Sequence, residues 1–181
     1  MTRTSAARRA KPGTAGRRAA QIVILIDPPA ATRWRRVARD VSQRVRDAAM
    51  AALAAAGASD PGEVTIRLSD DPVVRQLNRD FRGKDKPTNV LSFPMSDGAG
   101  PDGVPAPLGD IVIAYGTVAR EAAEQGKSIE QHLLHLVVHG VLHLLGYDHE
   151  RPAAARKMES LETRILASFG IADPYLVERR I

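Results

Sequence analysis

The chain contains no cysteine. That absence excludes disulfide stapling, thiolate metal sites and a cysteine nucleophile. Any zinc must then be held by nitrogen and oxygen ligands. Long hydrophobic runs are also missing: none approaches the roughly 18–20 residues of a membrane span. QIVILI, from Gln21 to Ile26, is too short for a signal-peptide core. A cytoplasmic enzyme or binding protein with no membrane partner is expected.

Acid is absent from residues 1–20, which carry Arg3, Arg8, Arg9, Lys11, Arg17 and Arg18. The whole chain is +5, so removing those six leaves −1 for residues 21–181. The basic character therefore belongs to the tail. Rich in Ala, Arg, Gly, Ser and Thr without apolar periodicity, residues 1–20 read as a disordered extension. Such an extension touches phosphate backbones without specificity. Residues 21–181 read as a single domain, a length able to bury one core.

Gln21–Asp27 reads as a strand closed by Pro28-Pro29, and Thr32 as the cap of a helix to about Ala56. That helix carries Arg33, Arg35, Arg36, Arg39, Arg44 and Arg46 on its outer side. Glu63–Ser69 alternates apolar and polar as a half-buried strand should. Asp70 or Asp71 caps a short helix with Pro72 in its first turn. Asn89–Met95 and the almost wholly apolar Asp110–Tyr115 complete four strands, the latter central. Helices follow from Thr117, from Ser128 to Leu145, and from Pro152 to Phe169. The order predicts an α+β fold, a four-stranded mixed sheet flanked by about five helices, with a zinc site at one helix end.

That site rests on HGVLHLLGYDH, His139 to His149. On a helix, positions i and i+4 share a face with Cβ atoms about 5–6 Å apart, so His139 and His143 reach one ion. Gly146 permits a sharp exit, and His149 can fold back as a third ligand. The spacing is that of the long zinc-protease signature, glycine included. One residue differs: Gly140 stands where those peptidases carry the glutamate that serves as general base. Three imidazoles with an open fourth position suit one catalytic Zn²⁺, which activates water near neutral pH.

His132 and His135 share the stripe, either as further ligands or as a hydrogen-bonded flank, since an all-histidine cage leaves no room for water. His135 is a candidate for proton relay. Asp148 either orients an imidazole or the attacking water, or caps a turn. A second segment, Leu77 to Pro94, packs Arg79, Arg82, Lys84 and Lys86 ahead of a strand. This is either a solvated basic loop or a grip on a phosphodiester, for which arginine offers a bidentate fork.

Together these segments resemble the YbeY-type endoribonucleases, zinc-dependent factors of bacterial ribosomal RNA maturation. LGDIVIA (Leu108–Ala114), the stretch Glu124–His149 and ADPY (Ala172–Tyr175) extend the resemblance to roughly residues 62–176. Residues 1–20 and the arginine-rich first helix fall outside it. The resemblance implies a single-strand-specific RNA hydrolase acting in 16S ribosomal RNA 3′-end maturation and ribosome quality control. It implies the ribosomal small subunit and its assembly factors as partners. It makes His139, His143 and His149 the zinc ligands and Arg82 the active-site arginine. Two other readings remain at this point, a zinc metallopeptidase and a non-catalytic assembly protein with a structural zinc. A fourth protein ligand would favour the last.

Overall fold

A computed structural model of the protein describes residues 20–58, 62–95 and 106–176. The basic extension expected over residues 1–20 lies outside them except for Ala20. Four strands, β1 (Gln21–Ile26), β2 (Glu63–Ser69), β3 (Val90–Pro94) and β4 (Gly109–Ala114), form one sheet. Their order is β1-β2-β4-β3. The pairs β1–β2 and β2–β4 are parallel and β3–β4 is antiparallel. The expected mixed sheet is present.

The α1–α2 region departs from expectation. Pro28-Pro29 does not simply close β1; it opens helix α1 (Pro28–Arg35), where the missing N–H of proline costs nothing. The single helix expected from Thr32 to Ala56 is two. Asp40 caps α2 (Val41–Ala55), its carboxylate accepting from the Gln43 N–H at 3.0 Å. A side chain that satisfies an orphan N–H marks a helix start, so the chain breaks and restarts there. With α3 (Asp71–Arg82), α4 (Tyr115–Glu124), α5 (Ile129–Leu144) and α6 (Pro152–Ala167), the described helices number six rather than about five.

Alternation along β2 sends Val64, Ile66 and Leu68 into the main core, where Ile111 and Ile113 of β4 join them. Helices α2 and α5 cover that face. On the other face Leu91, Val112 and Ala114 pack with Val74 of α3. Strand β4 is thus buried on both sides, which is why it reads as nearly unbroken apolar sequence. Trp34 of α1 is fully buried and donates Nε1–H to the Ser69 carbonyl at 2.8 Å. Among the described residues, no helix is long and apolar enough to cross a membrane.

Candidate metal centre

Helix α5 begins with a reciprocal cap. Ser128 Oγ accepts from Gln131 N–H at 3.1 Å, and Gln131 Oε1 accepts from Ser128 N–H at 3.0 Å. Walls of sheet and helix then surround α5, so it is apolar nearly all round apart from one stripe: His132, His135, His139 and His143. Spacings of three and four keep those rings on one face.

The rings on the stripe reach partners on several elements. His132 Nε2 lies 2.8 Å from Glu121 Oε2 on α4. His139 Nδ1 lies 2.8 Å from Oε1 of Glu162 on α6, a carboxylate with no solvent exposure. His143 Nδ1 lies 2.9 Å from the Tyr147 carbonyl oxygen. Beyond Leu144 the helix closes with Gly146 N–H on the His143 carbonyl and Tyr147 N–H on that of Leu142, both at 3.0 Å. This pair of bonds needs a left-handed residue, and Gly146 supplies φ of 80°. The turn swings His149 back over the helix end. Its ring stacks near His139, centroids 5.7 Å apart, and stands edge-on to His143 at 5.1 Å.

Ligand atoms from His139, His143 and His149 all lie within 4.8 Å of one another. Whether they suit a cation follows from proton bookkeeping. A carboxylate and a carbonyl accept only, so both Nδ1 atoms must donate. Each neutral ring then presents a bare Nε2, and the two Nε2 atoms stand 3.0 Å apart. Two lone pairs at that distance repel unless a positive charge lies between them. Imidazoles on a tetrahedral ion at about 2.0–2.1 Å place their nitrogens close to this separation. The donor set therefore fits a metal ion. Burial, followed by the neighbouring His139, pushes the His143 pKa down, which keeps its lone pair free for a cation. The site grades outward from fully buried Glu162 to exposed His149, and no fourth imidazole or carboxylate joins the trio among the described residues.

The other expected residues stand elsewhere. His135 points its Nε2 to Glu162 Oε2 (3.4 Å) and the Tyr175 hydroxyl (3.3 Å), not to the trio's shared centre. Exposed Asp148 accepts the Glu150 N–H at 3.1 Å, closing a turn. Arg82 ends α3, exposed, with no hydrogen bond or ion pair to the histidines. Sequence reasoning missed Glu162. Its trace was there to read: Glu162 lies four residues after Met158 and three before Ile165, on the apolar stripe of α6. Burial alone would raise its pKa, but hydrogen bonds from His135, His139 and Tyr175 prevail and hold it at about 2.

Gly140 faces the sheet. A Cβ there would sit 3.0 Å from Ile111 Cδ1 and 3.2 Å from Ser92 Oγ. The position a peptidase uses for its base is here a packing contact with no room for glutamate.

A family model described as Endoribonuclease YbeY matches residues 30–170. An Endoribonuclease YbeY of Rhodospirillum rubrum is 51% identical over 152 residues, 78% of this chain and 76% of that one. One of Rhodopseudomonas palustris is 57% identical over 120 residues, 66% of this chain and 63% of its own length, so the match spans under two thirds of that relative. A Thermotoga maritima protein solved in solution aligns at 26% identity over 82% of this chain and 91% of its own, with a TM-score of 0.47. The matched span begins at residue 30 and so takes in most of α1 and all of α2, which the motif resemblance had left outside. A match over that much of the chain, with relatives more than half identical, means that the chain belongs to the YbeY endoribonuclease family.

Proposed function

We propose that this protein is a zinc-dependent, single-strand-specific endoribonuclease of the cytoplasm, acting in 16S ribosomal RNA 3′-end maturation and ribosome quality control with the small subunit and its assembly factors. The observation that carries the reading is the pair of bare Nε2 atoms of His139 and His143, 3.0 Å apart with His149 beside them. The names of the relatives supply the substrate class. When bound, zinc supplies Lewis acidity that activates water and neutralises phosphate charge.

Other residues of the chain divide the remaining work. Arg82, free at the end of α3, grips phosphate oxygens through its bidentate fork, with Lys84 and Lys86 along the same loop. Phosphodiester cleavage depends on such charge neutralisation more than on a glutamate at position 140. His135 acts through Glu162, which it and Tyr175 hold. Asp148, exposed beside His149, takes or gives a proton on the solvent side.

The test is cleavage of a single-stranded RNA by the intact protein, by Arg82→Glu and by an EDTA-treated sample. Loss of cutting in both is expected. Undiminished cutting in both overturns the assignment.

A further inference from the structure

The chain after α6 folds back onto the histidine stripe and reaches the buried carboxylate behind it. Asp173 Oδ1 accepts both the Thr163 hydroxyl at 3.1 Å and the Tyr175 N–H at 2.9 Å. These two hydrogen bonds to one carboxylate oxygen shape a tight turn. The turn lays the Tyr175 ring edge-on against His135, centroids 5.6 Å apart at 89°, and its hydroxyl donates to Glu162 Oε2. We infer that Asp173–Tyr175 is a clasp for the metal centre: Tyr175 holds Oε2 of Glu162 so that Oε1 stays on Nδ1 of the ligand His139.

The physical case is one of acceptor supply and demand. A fully buried carboxylate is tolerable only when both oxygens are hydrogen-bonded. Oε1 has His139 at 2.8 Å, whereas Oε2 has the Tyr175 hydroxyl and, at a longer 3.4 Å, His135. Without the tyrosine hydroxyl, Oε2 loses its closer donor, the carboxylate is freer to rotate, and the bond that fixes the His139 tautomer loosens. Acceptors on the far nitrogen of a metal-bound histidine orient the ring and raise its basicity, and losing one costs 10–100-fold in affinity. Tyr175 is thus a positioning residue two hydrogen bonds away from the ion.

This inference rests on the metal centre proposed above, and the experiment separates the two. Zn²⁺ affinity of the full chain is measured by competition with a chromophoric chelator, and Co²⁺ spectra report the ligand field. Thermal melting of the metal-free protein reports folding. Tyr175→Phe keeps the ring against His135 and removes only the hydroxyl; Asp173→Asn keeps the acceptor but strips its charge, weakening the two bonds that shape the turn. Expected is one ion per unaltered chain, with affinity lowered on the order of 10-fold in Tyr175→Phe, a smaller loss in Asp173→Asn, and a changed Co²⁺ spectrum. Unchanged affinity in both variants overturns the clasp, as does a lower metal-free melting temperature with unchanged affinity. No ion bound by the unaltered chain overturns the metal centre itself.

Discussion

The Nδ1–H of His139 donates to Oε1 of Glu162 across 2.8 Å, joining the middle of α5 to the middle of α6. One bond does two jobs: it neutralises the demand of a buried carboxylate and turns Nε2 of His139 outward. Glu162→Gln keeps the shape and removes the charge. It should weaken zinc binding about 10–100-fold, read by chelator competition.

The same carboxylate gives an acid signature. Its pKa is lowered from 4.5 to about 2 in the fold. A depressed pKa contributes stability fully present above about 4.5 and lost as pH falls toward about 2. Urea titrations of the metal-free protein should show this loss, and Glu162→Gln should lack that part of the slope while starting from a lower stability.

His132 predicts a second pH effect at milder acidity. Burial, only partly offset by Glu121, lowers its pKa from 6.5. The fold thus prefers the neutral ring, and its contribution is intact above about pH 6.5 and declines as pH falls below it. Replacing His132 by Gln, which can still donate to Glu121, should flatten the stability profile below pH 6.5. An unaltered slope would count against the buried neutral ring.

Gly140 predicts a packing limit. Alanine there gains about 1 kcal/mol of helix propensity but must push Ile111 and Ser92, which costs about 1–3 kcal/mol. Gly140→Ala should therefore be neutral to mildly destabilising by urea unfolding. Gly140→Glu, which restores the peptidase spelling, should cost on the order of 3–5 kcal/mol and create no peptidase activity in a fluorogenic peptide assay.

The basic loop is rooted, and its roots are testable. Asn78 donates to the Lys86 carbonyl at 2.7 Å, and Asn89 donates to Glu121 Oε2 at 2.9 Å, the atom that His132 also meets. Glu121→Ala should loosen the loop that follows Arg82 and holds Lys84 and Lys86, without touching the histidine trio. Single-stranded RNA binding should weaken roughly 5–10-fold, the worth of about 1–1.4 kcal/mol, at unchanged metal stoichiometry.

Much of this architecture is local and so was legible. Ser128 as a cap, the alternation of Glu63–Ser69 and the double burial of Gly109–Ala114 are periodicities set by one element's own geometry. The split between α1 and α2 is also local, but Asp40 sits among arginines that continue a helical pattern, and the pattern masked the cap. Glu162 and Tyr175 belong to another class. Nothing within a few residues distinguishes Glu162 from an ordinary solvated acid except its place on an apolar stripe.

What the sequence alone determined was the repeat of three and four that puts the histidines on one face, and the glycine that turns the chain after them. Those follow from the helix's period and from the freedom of a residue without Cβ. Only the tertiary structure decided which nitrogen of His139 and of His143 is bare, because tautomers depend on the acceptors that other segments deliver. Glu162 arrives from α6, 23 residues further along than His139, and the Tyr175 hydroxyl from a turn beyond it. Such partners are chosen by packing, which residue spacing along the chain does not encode.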